Sequence, residues 1–157
     1  MMRADIEPIA QADKSALTAE LQDYIQEMTA YVDIVKVGDA YDYPGLDLYW
    51  VDQDRSAFWA LADAERAGFA MLRRREDGAM VMTEFYVRPA FRRSGIGMSF
   101  ARQLLERFPG VWILSEFAAN AGAIAFWRRV IAGYAYTERS YVGGQGKDRI
   151  EQRVEVV

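Results

Sequence analysis

The chain contains no cysteine and no histidine. A cysteine nucleophile and any enzyme-bound thioester through sulfur are therefore excluded, as is any Ser–His or Cys–His pair. Zinc sites built on Cys or His are excluded too. The side chain that most often serves as a general base near neutral pH is also missing. Acid–base work must fall to Glu, Asp, Tyr, Lys, water or a substrate. No apolar run approaches the ~18 residues of a membrane span, and the opening Met1-Met-Arg-Ala-Asp-Ile-Glu lacks the apolar centre of a signal peptide. No membrane partner and a cytoplasmic location are expected. Nor is there a tight acidic cluster of the kind that holds Mg²⁺, so no metal is expected. Basic character is scarce as well. The net charge is −4 and the sequence pI about 5.0, which argues against nucleic acid as a partner. Arg73-Arg-Arg75 reads as a solvated strand end.

What is present is enough apolar material for one domain: 157 residues, 52% hydrophobic and 27% charged. Arg3 to Ala10 reads as a first strand. Leu17, Leu21, Tyr24, Ile25, Met28 and Val32 recur at a helical spacing with one buried face. Gly38 to Asp54 reads as a loop with a short strand around Leu46 to Val51. Ala57–Ala62, Ala67–Leu72 and Met80–Val87 read as an antiparallel meander, with Asp77-Gly78 as a hairpin turn. Ile96, Phe100, Leu104 and Phe108 share one face of a helix that Pro109-Gly110 stops. Val111 to Leu114 is a short buried strand, and Asn120 can cap a helix reaching about Ala132. Near the end, Ile150, Val154 and Val156 alternate with charged residues as one clear strand. This order fits an α+β domain with helices packed on a mixed sheet.

The most informative stretch is Glu84-Phe-Tyr-Val-Arg-Pro-Ala-Phe-Arg-Arg-Ser-Gly-Ile-Gly97. An apolar strand enters a basic turn that ends in Gly95-x-Gly97 where a helical pattern begins. Residues without a Cβ permit close backbone approach, and free N–H groups at a helix start attract anions. Arg92 and Arg93 add positive charge. The combination suits a phosphate-rich ligand.

Arg92-x-x-Gly95-x-Gly97 resembles the acetyl-CoA pyrophosphate loop of the GNAT superfamily of N-acetyltransferases. Asn120-Ala-Gly-Ala-Ile-Ala-Phe-Trp127 resembles that family's Asn-x-x-Ala-x-x-Phe-Tyr helix. The resemblance implies one GNAT-like domain over residues 1–157, with a mixed, mostly antiparallel central sheet flanked by helices. It implies acetyl-CoA as co-substrate and direct transfer to an amine acceptor, on a small molecule or a protein. A GNAT-like acyl-CoA sensor without transfer is the alternative. A homodimer stays open.

By the same resemblance, the strands Met80–Val87 and Val111–Leu114 splay around the pantetheine arm. Phe85, Tyr86 and Val87 would border that arm, with Phe85 and Val87 bonding its amides through their backbones. The backbone of Arg93, Ser94, Gly95, Ile96, Gly97 and Met98 would cradle the pyrophosphate, with Arg92 and Arg93 on its oxygens. Asn120 would contact the CoA arm besides capping, and Phe126 and Trp127 stand at the Phe-Tyr pair. Trp127 departs from the Tyr that protonates the leaving thiolate in many members, because an indole N–H does not titrate as an acid. Tyr134 is one substitute. Glu84 is the candidate base, although alternation puts it on the opposite face from Phe85 and Val87 unless a bulge intervenes. Tyr43, Asp47 and Tyr49 fall in the loop region that lines the acceptor side, where carboxylates and aromatic faces suit a cationic amine.

Overall fold

A computed structural model describes residues 2–157. Its element order is β1 (Asp5–Pro8), α1 (Lys14–Met28), α2 (Leu48–Val51), β2 (Arg55–Ala62), β3 (Glu65–Arg74), β4 (Met80–Val87), α3 (Ile96–Arg107), β5 (Gly110–Phe117), α4 (Ala121–Val130), β6 (Ala135–Val142) and β7 (Asp148–Val156). The strands form one seven-stranded sheet in the order β1-β2-β3-β4-β5-β7-β6. Every neighbouring pair is antiparallel except β4 and β5. The α+β architecture is the one expected from the order of elements.

The sheet is covered on both faces, which explains why β2 reads as a continuous apolar run rather than an alternating one. Successive residues of β2 enter opposite cores. Phe58 and Ala60 join Ile96, Phe100, Leu104 and Trp127 beneath α3 and α4. Ala57 and Trp59 join Leu17, Leu21 and Ile25 of α1. The face of α3 foreseen from its spacing is fully buried at Ile96, Phe100 and Leu104, and each such side chain contributes about 1.5–3 kcal/mol.

Local readings change at three places. Leu46–Val51 is not a strand: Leu48–Val51 is one helical turn. Leu48 N–H bonds the Gly45 carbonyl and Tyr49 N–H the Leu46 carbonyl, and this winding drops both Leu46 and Tyr49 into the α1-side core. β5 runs on to Phe117, beyond the apolar stretch that ends at Leu114. Its polar residues Ser115 and Glu116 are paired in register with Glu151 and Ile150 of β7 and bonded by Arg149 and Gln152 side chains. β6 was not separable in the sequence because it is the outer strand and is exposed along nearly its whole length, so no face carries an apolar period.

Candidate active site

β4 and β5 start as a parallel pair at Met80–Trp112 and Val81–Ile113, and pairing stops there. From Met82 onward the β5-facing edge of β4 has no strand partner. The gap opens into a cleft of about 360 Å³, lined by both strands, by Tyr24 and Met28 of α1, and by Asn120, Ala123 and Trp127 at α4. A register shift against β3 decides which side chains reach which side. Met71 pairs with Glu84 but Leu72 with Met82, leaving Thr83 as an extra residue. Such a bulge inverts the alternation. Met82 and Phe85 consequently both pack toward α3 and α4, whereas Tyr86 packs under α1 and Glu84 lies against Tyr24. Glu84 is therefore on the face opposite Phe85, yet it lines the same cleft through the gap.

On the α3–α4 face the glycine loop precedes α3 directly. Gly95 is the N-cap with φ +92°, a left-handed conformation that disfavours side chains. Ser94 Oγ accepts from Ile96 N–H and donates to the Phe91 carbonyl. The N–H groups of Gly95, Gly97 and Met98 find no acceptor among the described residues. A Cβ on Gly97 would stand 3.2 Å from Val87 Cγ2 and 3.3 Å from Phe126 Cε1, so these two side chains approach α3 closely because position 97 is bare. Arg93 is exposed with φ +63° and bears no ion pair among the described residues.

Arg92, expected on the phosphate oxygens, is engaged within the protein. Its Nη2 bonds both oxygens of Glu27 at 2.8–2.9 Å and its Nε bonds the Val87 carbonyl. The guanidinium also sits over the Tyr86 ring. It ties the loop to α1, on the face away from α3.

At α4, Asn120 Oδ1 accepts from Ala123 N–H at 3.1 Å, as an N-cap does, and the residue also borders the cleft. Phe126 packs on Phe85. Trp127 is buried and meets Phe85 edge-on at 4.9 Å. Tyr134 does not reach the cleft. It follows the far end of α4 and packs against the core there, so it stands outside the chemistry expected of it.

On the α1 face, burial pushes the Glu84 carboxyl up to about 7, while the Tyr24 hydroxyl beside it and the Arg149 charge pull it the other way. Burial likewise holds the Tyr24 and Tyr43 hydroxyls well above the ordinary tyrosine range, with the Glu84 charge adding to the effect. Tyr43 lines the cleft as expected, and Asp42 lines it as well. Asp47 and Tyr49 do not. Asp47 pairs with Lys14, and the α2 turn buries Tyr49 in the core. Tyr24 and Arg149 were missed as site residues. The period of α1 marks Tyr24 as core, and Arg149 has no local signal at all.

Glu116 is 4% exposed. One oxygen accepts from Gln152 Nε2 at 2.8 Å; the other, like Gln152 Oε1, has no partner. Burial pushes its carboxyl up to about 7. A folded-state value above the ordinary one means stability that is full below the ordinary carboxylate range and falls as pH rises toward 7. Glu116→Gln is therefore expected to stabilise the fold at pH 8 by about 1–3 kcal/mol, or roughly 3–8 °C in Tm. The gain should fade toward pH 5 in thermal unfolding followed by circular dichroism.

The splayed strands, the bare loop before α3 and the carboxylate across the gap define an acyl-CoA transferase type of fold. The model of the "Acetyltransferase (GNAT) family" matches residues 18–133, and the chain belongs to that family. Among solved structures, a ribosomal-protein-alanine N-acetyltransferase from Brucella melitensis is 22% identical with a TM-score of 0.66, covering 98% of this chain and 99% of its own. A variant of spermidine N-acetyltransferase from Vibrio cholerae is 12% identical at TM-score 0.70, covering 96% and 94%. A Bacillus subtilis acetyltransferase in complex with CoA is 11% identical at TM-score 0.62, covering all of both chains. No curated protein sequence matches the chain.

Proposed function

We propose that this chain is an acetyl-CoA-dependent N-acetyltransferase that moves an acetyl group directly to a primary amine in a ternary complex. The observation that carries this reading is the unpaired β4 edge beyond Val81, which borders a cleft shared by Phe85, Asn120, Trp127 and Glu84, on the strand that leads into the glycine loop before α3. The residues fit the co-substrate. Gly95, Gly97 and Met98 offer unpaired N–H groups to a pyrophosphate. The β4 edge at Phe85 to Val87 can take an extended pantetheine arm as an added strand, with Asn120, Phe126 and Trp127 forming the opposite wall. Arg93 is the basic side chain of the loop left to meet phosphate.

Glu84, ionised above about pH 7, takes a proton from the acceptor ammonium. The freed nitrogen attacks the thioester carbonyl, a C–N bond forms, the C–S bond breaks, and its electron pair leaves on sulfur. Trp127 cannot supply a proton, so the acylated nitrogen sheds its second proton through water to the departing thiolate, leaving an amide and the CoA thiol, while Glu84 returns its proton to solvent. Holding both reactants in one cleft supplies much of the acceleration. One domain spanning residues 1–157 carries both halves of the cleft.

Trp127 favours a second reading, an acyl-CoA-binding domain without transfer. Calorimetric titration with acetyl-CoA followed by CoA-thiol release over an amine panel separates the two. Turnover establishes the transferase. Micromolar binding with no turnover establishes the sensor, and no binding removes both.

A further inference from the structure

We propose that Arg149 forms a carboxylate subsite in the acceptor half of the cleft. The acceptor is then an amino acid: a small molecule with a primary amine and a carboxylate on an apolar body. This inference rests on the transferase reading above and narrows its substrate.

Arg149 is the one basic residue among the described residues lining the cleft. It is held by three separate contacts. Its Nε donates to Ser115 Oγ at 3.0 Å, and that oxygen also shares a hydrogen bond with the Tyr141 hydroxyl. Its guanidinium lies 4.1 Å over the Phe117 ring centroid, and Phe117 is stacked in turn on Tyr31. Gly143 leaves room for the stem, since a Cβ there would come within 2.7 Å of Arg149 Cδ. A long cationic side chain is thus oriented by two residues of β5 and by the turn after β6. Yet no carboxylate lies within ion-pair distance of it among the described residues, and neither terminal nitrogen has a protein partner. The pair of terminal nitrogens is the fork that receives a carboxylate in bidentate fashion.

CoA phosphates do not explain the charge. The glycine loop lies on the α3–α4 face, whereas Arg149 shares the α1 face with Ser115, Phe117 and Tyr31. Glu84, which lines the same cleft, senses its charge. An ammonium at Glu84 and a carboxylate at Arg149 would each meet its counter-charge. The rest of this half carries apolar Ile25, Met28, Val32 and Ile34 beside Asp42 and the Tyr24 and Tyr43 rings. The apolar stretch suits a hydrophobic side chain, and Asp42 adds a second carboxylate on the ammonium side.

The test is CoA-thiol release with matched pairs: leucine against 3-methylbutylamine, phenylalanine against 2-phenylethylamine, and β- and γ-amino acids to read the spacing. The wild type should favour the carboxylate-bearing member by about 10- to 100-fold in kcat/KM, mainly through KM, the size of a charge-assisted hydrogen-bond pair. In Arg149→Gln the amino acid should fall to the level of its amine. The wild-type comparison stands even where the variant folds poorly. Amines turned over with no carboxylate preference, or a preference that survives in a folded Arg149→Gln, would overturn the subsite and leave the transferase reading intact. Acetyl-CoA binding with no turnover of any member would overturn both.

Discussion

Replacing Gly97 with valine is expected to weaken acetyl-CoA binding by about 100-fold, the equivalent of two lost hydrogen bonds to a charged group. The reason is local crowding. The first added carbon already stands 3.2 Å from Val87 Cγ2 and 3.3 Å from Phe126 Cε1, so the branched methyls must push these side chains apart or project into the gap. Either way they fill the space between β4 and α4 through which the pantetheine arm would run, and they cover the N–H groups that would hold the pyrophosphate. The fold should tolerate the change, because position 97 has ordinary helical geometry, and replacing a helical glycine by valine offsets part of the crowding by about 0.3 kcal/mol. Calorimetric titration measures the affinity, with thermal unfolding as the control. Undiminished binding in a folded variant would place the cofactor elsewhere.

The second large effect is expected from Glu84→Gln. The kcat/KM for an amine should fall by about 10²–10³-fold, the usual range for losing a positioned base. Acetyl-CoA affinity should hold, because the carboxyl lies on the other face of the sheet from the glycine loop. In the wild type, kcat/KM should climb as pH rises through about 7 and then level, since Glu84 must be ionised to accept a proton and burial raises its pKa to that value. In the variant that climb should vanish. The same shift has a consequence for stability. A carboxyl raised in the folded state contributes stability that is full at acid pH and is lost as pH rises from its ordinary range through 7, so the variant should gain stability on the alkaline side. An unchanged rate and pH profile would show that Glu84 serves the fold and that water alone takes the proton.

Tyr24 sharpens this expectation. Its hydroxyl lies against Glu84 and favours the ionised carboxylate, offsetting part of the burial. The ring itself packs edge-on against Phe69 and Tyr86 at 5.8 Å. A residue that reads in sequence as one more core position of α1 is thus placed to tune the Glu84 carboxyl.

Much of this protein was legible in the residues themselves. The missing cysteine and histidine confined the acid–base chemistry to carboxylates, tyrosines, lysines, water or the substrate. The spacing of Ile96, Phe100 and Leu104 defined the buried face of α3, Asp77-Gly78 marked the hairpin, and Asn120 marked the start of α4, where its side chain does accept from Ala123 N–H. The Gly95-x-Gly97 turn showed where a backbone had to come close to something. All of these are local effects, set by backbone freedom, side-chain period and capping within a few residues, so the chain spells them out in order. The remaining features depend on partners far away in sequence. The extra residue Thr83 in β4, defined only by its register against β3, put Met82 and Phe85 on the same face. Glu27, 65 residues from Arg92, ties that side chain to α1. The α2 turn buried Tyr49, and the length of α4 carried Tyr134 out of reach. β7 brought Arg149 to Ser115 and Phe117, 34 residues from the serine it bonds. Sequence spacing carries no information about which distant charges and rings will meet, because packing of the two faces of the sheet chooses among many locally equivalent options. Only the tertiary structure decided which of the candidate residues share the cleft.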